Sequence, residues 1–256
     1  MSISIADSGI RLGLLCLVMA VLAAVIYRFT HLGRVRTVPG AVVRGALQLA
    51  AISVILAAAL AHIWSAVLVL VGMFGAASFT AARRSLAGIS GAWLSVAVAS
   101  GVGVVLPLML VSGVVPLEGV ALVPIGGIVM GGAMTATSLA AKRGLDAIDG
   151  RYGEVEAALS LGFSQRDARW EVARTAGADA LLPGLDQTRT VGLVTLPGAF
   201  VGVLLATGSA VQAGAVQILV LAGLLLAQTC SVAVALELVA RGFVYRNRAV
   251  RPTRVR

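Results

Sequence analysis

The chain has 256 residues, 59% of them hydrophobic and 12% charged, against about 25% charged in an average soluble protein. Its apolar residues gather into runs long enough to cross a hydrocarbon core of ~30 Å, which excludes an ordinary soluble domain. The net charge of +9 does not point to nucleic acid, because the basic residues form short clusters between and after the runs, as expected for one membrane face and its anionic lipid headgroups.

Seven runs are predicted to be transmembrane helices, and the first covers residues 9–27. Its strong positive charge (Arg28, Arg34, Arg36) follows the run rather than preceding it, so a retained helix is expected and not a cleaved signal peptide. Cys16 here and Cys230 in the last run are packing residues, since no Cys-x-x-Cys or Cys/His spacing accompanies them. The second run, 45–61, follows Arg44. Arg44 and Gln48 are four apart and share a helix face. Arg44 is either a snorkelling anchor or part of a pathway, and the deeper amide of Gln48 is expected to face protein or a water-filled path. Only Ala61-His62-Ile63-Trp64 joins it to the third run, 63–82, which predicts a tight helical hairpin. Arg83 and Arg84 precede the fourth run, 86–112.

The fifth run, 117–141, contains Pro124, a Gly127-xxx-Gly131 ridge that lets another backbone approach, and a strip of Gly126, Met130 and Met134. The methionines are either core gap-fillers or soft metal ligands. A polar interruption from about 142 to 186 follows, holding eight of the eleven acidic residues. Within it, Val155, Ala158, Leu159 and Gly162 fall on one face of a short helix. Ser164, three before Asp167, starts a second helix by a capping-box-like pattern, expected to run to about Leu182 and to be ended by Pro183. The two helices, joined at Gly162-Phe163, make a knob that can press into a cleft of a soluble partner.

The sixth run, 188–207, repeats the grammar of the fifth in Thr195-Leu196-Pro197-Gly198, with Pro197 expected to kink the helix and free a carbonyl at mid-membrane. Gly198-xxx-Gly202 is again a packing ridge, and paired interruptions of this kind often mark a substrate path in transporters. The seventh run, 213–240, carries Gln217 and Gln228, with Glu237 near its end and spaced for an i, i+4 pair with Arg241. A basic tail, 241–256, closes the chain. With seven helices, nineteen of the twenty Lys and Arg fall on one side and Arg11 alone on the other, so the positive-inside rule predicts N-out, C-in.

The chain itself is not an ATPase, because its one lysine, Lys142, lacks the glycine pattern of a phosphate-binding loop. His31 and His62 lie at opposite membrane faces with no shared serine, which argues against a hydrolase. Two other classes stay open. A secondary transporter needs intramembrane acids or histidines, of which the runs hold only Glu237 near an end; a non-transporting membrane scaffold is the other.

Glu156-Ala157-Ala158, three residues and Gly162 resemble the first half of the docking loop of ABC transporter membrane subunits, although Leu182-Pro183 lies twenty residues after the glycine rather than about a dozen. A longer collinear match, through Arg44-Gly45-Ala46-Leu47-Gln48-Leu49, Val123-Pro124-Ile125-Gly126-Gly127, Leu159-Ser160-Leu161-Gly162, Ala180 to Pro183, Thr190 to Gly198 and Gln217-Ile218, resembles the FetB-type (UPF0014) permeases. These are described as iron-export or metal-resistance permeases, with plant relatives linked to aluminium tolerance. The resemblance implies an all-α, multi-pass cell-membrane protein of about seven helices, forming one permease domain over 1–256 with a helical coupling segment between helices 5 and 6. It implies a permease subunit of an exporter that binds no cofactor itself, pairs with a second copy, and is driven by a separate ABC ATP-binding subunit that uses the ATP. The residues expected to couple to that ATPase are Glu154, Glu156, Ala157, Ala158, Leu161, Gly162, Phe163 and Arg166. Those expected along the substrate pathway are Arg44, Gln48, Gly126, Met130, Met134, Thr195, Pro197, Gly198, Gln217 and Glu237, and Met130 and Met134 are the metal candidates. Where the family has Gly-Asn-Ala-Met and Leu-Pro-Gly-Met-Met, this chain has Gly131-Gly132-Ala133-Met134 and Leu196-Pro197-Gly198-Ala199-Phe200, so its cargo does not follow from the resemblance.

Overall fold

A computed structural model describes residues 5–31, 33, 35–59 and 62–246, those of 5–10 and 55–59 by backbone alone. Among the described residues the elements are helices, with an isolated bridge between Val191 and Thr195. The chain divides into two compact units, Met1–Leu60 and Ala61–Arg256.

The first unit is a helical pair, α1 (Ile5–Phe29) and α2 (Thr37–Ala59). Helix α2 begins eight residues before the expected run. Pro39 stands in its first turn, where a missing N–H costs nothing, and the Gly40 N–H already bonds the Arg36 carbonyl at 3.0 Å. Arg44 is therefore inside the helix rather than at its start. The hairpin expected at 61–64 falls partly on residues outside those described.

In the second unit α3 (Ile63–Ser85) ends at Leu86, left-handed at φ 59°, and a 3-10 turn (Gly88–Trp93) leads into α4 (Leu94–Val111). Helix α5 (Gly119–Gly150) has 32 residues, longer than a bilayer needs, so its last turns project beyond the apolar run. Short α6 (Tyr152–Ser160) and long α7 (Gln165–Thr190) follow, then α8 (Gly198–Thr207) and α9 (Ala210–Ala240).

Helices α5 and α9 form the centre. Lipid gives helices no hydrophobic reason to associate, so close approach at small residues does the packing. A side chain at Gly101 of α4 would overlap Ser231 and Ala227 of α9; one at Gly132 of α5 would overlap Leu224; one at Gly223 of α9 would overlap Met109. The register of these contacts makes α3, α5 and α9 run one way and α4 and α7 the other. The close glycines on α5 are Gly126, against Leu70, Gly127, against Met73, and Gly132, whereas Gly131 has open space where its side chain would be. The ridge read from sequence is therefore shifted by a residue on one side.

Two expectations are corrected. Pro183 does not end the helix: it lies inside α7, which continues to Thr190. Proline in a helix interior costs roughly 3 kcal/mol, but helical stability in a protein comes mainly from tertiary packing. Here Ala168, Val172, Ala173, Ala176, Gly177, Ala180 and Gly184 form one buried stripe, packed on α5 and α9 with Leu145, Ile148, Leu236 and Val239. The polar segment is thus more than a separate knob, because its second helix returns along the bundle. Nor is 188–207 one kinked helix. After α7, the Leu193, Val194 and Thr195 N–H groups all turn back to the Thr190 carbonyl, and the Gly192 N–H, at φ 81°, bonds the Thr195 carbonyl at 2.9 Å. Pro197 forces Leu196 out of the α region and stands as the N-cap of α8, whose ten residues span only about 15 Å. Standing at the N-cap, Pro197 interrupts no helical ladder, and its own carbonyl accepts the Val201 N–H at 3.2 Å. Among the described residues, six helical stretches are long and apolar enough to cross a membrane; α8 is a shorter apolar helix.

Candidate functional site: the α6–α7 corner and the broken sixth span

The turn between α6 and α7 is shaped by local bonds. Helix α6 ends in a Schellman motif: the Phe163 N–H bonds the Ala158 carbonyl at 3.1 Å and the Gly162 N–H bonds that of Leu159 at 3.0 Å. Gly162 takes φ 90°, a conformation that glycine alone adopts without strain. Two residues later Ser164 caps α7. Its Oγ accepts the Asp167 N–H at 3.1 Å and donates to Asp167 Oδ2 at 2.7 Å. That hydroxyl, with the Arg166 guanidinium second, holds the Asp167 carboxyl below the usual aspartate range.

Val155 is buried and Ala158 and Leu159 pack against the core, as their shared face implies. Glu154, Glu156, Ala157, Leu161 and Phe163 point outward. Leu161 is 79% exposed and Phe163 52%, large apolar groups left uncovered on an otherwise charged corner. Glu154 faces Arg151 at 3.6 Å, and Arg151 in turn donates to the Val172 carbonyl.

Arg166 ties the corner to the bundle. Its Nη2 and Nε donate to Oε2 and Oε1 of Glu237 at 2.7 and 3.1 Å, its Nη1 pairs with Asp167 at 2.8 Å, and its guanidinium lies 5.2 Å from the Trp170 ring centre. Glu237 also receives Arg241 at 2.6 Å. Glu237, read from sequence as a pathway residue with a local partner, is thus the seat of a forked link from α7 to the end of α9. A second clamp holds the end of α5: Arg246 pairs with Asp146 at 2.6 Å and Asp149 at 3.5 Å, while the Tyr245 N–H and carbonyl both bond Ser90 Oγ.

Within the second unit the expected pathway residues are spread over several sites. Arg44 and Gln48 are exposed on α2, in the first unit. Met130 is buried, its methyl beside Gly126, and Met134 packs against the apolar cluster of Ala77, Ala81, Val98 and Ala133. Thr195 and Gly198 are exposed and Pro197 half-buried at the break before α8, which packs on α9. Buried Gln217 supplies what Pro197 cannot: its Oε1 accepts the Phe200 N–H at 3.1 Å, capping α8 from α9. Two cavities, of about 290 Å³ beside Val114, Ile125 and Leu219 and about 400 Å³ beside Phe79 and Arg83, are lined by none of these residues. Among the described residues no three His, Cys, Asp or Glu could hold a metal together.

Sequence reasoning missed the links made across long separations, Arg166–Glu237 and Arg246–Asp146. It also missed an ion pair beside the break, Asp186–Arg189 at 3.6 Å, since the charge count places Arg189 on the inner side. The i, i+3 spacing of opposite charges was its visible signal.

The model of the uncharacterised protein family UPF0014 matches residues 10–244 of the sequence. The chain belongs to this family. Rice (Oryza sativa subsp. japonica) "UPF0014 membrane protein STAR2" is 32% identical over 160 residues, 62% of this chain and 56% of that one. "Protein ALUMINUM SENSITIVE 3" of Arabidopsis thaliana is 32% identical over 150 residues, 58% and 55% of the two chains. The "Probable iron export permease protein FetB" of Escherichia coli (strain K12) is 32% identical over 174 residues, 67% and 66%. The match thus spans a little over half the length of the two plant relatives. No solved structure matches. With six membrane-length helices, this UPF0014 member is a multi-pass membrane protein.

Proposed function

We propose that this UPF0014 protein is the permease subunit of an ABC-type exporter of a metal ion or metal complex, working as a homodimer with two copies of a separate ATP-binding subunit. The observation that carries the reading is the α6–α7 corner, which exposes Leu161 and Phe163 on a locally rigid turn and is joined through Arg166 to the end of α9. A partner that moves this corner moves α7, and α7 lies along both central helices. Coupling needs contacts that differ between two states, and a surface knob on a lever supplies them. The relative named as an iron export permease supports the direction and cargo class, and the basic clusters support a cytoplasmic corner.

The test is ATP-dependent accumulation of iron in inverted vesicles containing this chain and a candidate ABC ATP-binding subunit from the same cell. Accumulation that requires both chains and ATP supports the reading. Transport by this chain without ATP, driven by a proton gradient, contradicts it.

A further inference from the structure

The end of α7 puts charge where hydrocarbon is expected. Gln228 of α9 fixes the depth, because its amide lies against Gly132 of α5 on one side and Gly184 of α7 on the other. At 1.5 Å per residue, Gly132 is about 15 Å from Lys142 and about 21 Å from Glu118 along α5, so this level is near the middle of the span. Asp186 and Arg189 follow Gly184 by two and five residues, a further ~3 and ~7 Å toward the Glu118 end. Their side chains are 66% and 68% exposed on the chain, and their charged ends stand 3.6 Å apart. Ionisable groups at such depth face protein or a water-filled cavity rather than lipid.

The backbone breaks at the same place. Helix α7 ends at Thr190 with its carbonyl-rich, negative end, and α8 begins at Gly198 with its N–H end, across a turn that exposes Thr195. Irregular backbone at membrane depth is tolerated where it lines a cavity, and discontinuous helices of this form bind substrate and ions in transporters. We propose that Asp186, Arg189, the carbonyls in the last turn of α7 before the occupied one of Thr190, and Thr195 form the cargo site, and that it takes a metal ion still carrying its own anionic oxygen ligands. Resting on the export reading above, the assignment adds where the cargo sits and in what form. The ligand chemistry follows from the charge balance. Arg189 offsets the single negative charge of Asp186 at 3.6 Å, so the pair gives a bare di- or trivalent cation no net attraction, no cluster of three acidic, His or Cys ligands exists among the described residues, and Arg189 pairs well with carboxylate oxygens. The carboxylate-bearing shell engages Arg189, and metal-bound water engages Asp186 and the carbonyls. Methionine sulfur, suited to soft ions, has no part here.

The test is thiol labelling in membranes, without ATP, on the full chain carrying Cys16→Ser and Cys230→Ser. Asp186→Cys, Arg189→Cys and Thr195→Cys are each exposed to a membrane-impermeant thiosulfonate, with Leu205→Cys, 81% exposed on apolar α8, as the lipid-facing control. We expect at least tenfold faster labelling at 186, 189 and 195 than at 205, and at 195, where both charged groups are intact, slowing at least threefold by iron(III) citrate and not by ferrous ion alone. Labelling no faster than at 205, no protection of 195 by iron(III) citrate, or equal protection of 195 by ferrous ion would each overturn the assignment. Because no ATPase is needed, this outcome is independent of whether ATP drives the protein.

Discussion

At the scale of single residues, partners separate structural roles from exposed ones. Gln217 has a buried amide with a defined task, so Gln217→Leu leaves the Phe200 N–H without an acceptor and should cost about 1–3 kcal/mol, read as a lower thermal midpoint in detergent with the α8 region exchanging amide hydrogens faster. An unchanged midpoint would mean that the cap is dispensable. Ser164 and Asp167 give a pH signature. The Asp167 pKa is lowered in the folded chain, so its contribution is present above the unfolded aspartate value and is lost as pH falls through the depressed folded one. Protection of the first turn of α7 should therefore hold at neutral pH and fall only in acid below the ordinary aspartate range. In Ser164→Ala that protection should be weaker by about 1 kcal/mol at neutral pH, and the acid loss should begin at higher pH.

At the scale of elements, α7 decides how the chain differs from its sequence reading. Pro183 is exposed inside a continuous helix, so Pro183→Ala should keep or raise the thermal midpoint. Gly184→Leu, one residue on, would collide with Gln228 and should lower it by a core-overpacking cost of about 1–3 kcal/mol. A reversed order would show that α7 does not lie against α9. Periodicity displayed the long apolar helices, because Leu, Val and Ile runs carry their own signal, and the Gly162 stop and Ser164 cap were legible because both are local. Helix α7 was not legible in full: its buried stripe is alanine and glycine, which score as weakly apolar, and its exposed face is charged. Its docking depends on the fit of small residues to Gln228 and Leu236, which no window of α7 itself contains. The same limit hid Arg166–Glu237 and Arg246–Asp146, each joining residues far apart in the chain; the i, i+4 pair of Glu237 with Arg241 was legible, while the partner of Gln217 on α8 was not.

At the scale of the whole molecule, orientation and coupling are the two claims that bear on function. The basic clusters predict an outside N-terminus and an inside corner, so reporter fusions after Arg84 and Arg143 should read cytoplasmic and one after Gly113 external; a cytoplasmic reading at Gly113 would place the α6–α7 corner out of reach of any ATPase.

The central claim is that the corner passes ATP-driven motion to the membrane helices, and it is tested most directly by Leu161→Glu with Phe163→Glu. Both side chains are exposed and neither supports the fold, so the variant should insert and melt as the parent does. Measured in inverted vesicles with the ATP-binding subunit, ATP-dependent iron accumulation should fall at least tenfold, and the subunit should no longer co-purify. Parental accumulation together with normal co-purification would contradict the account.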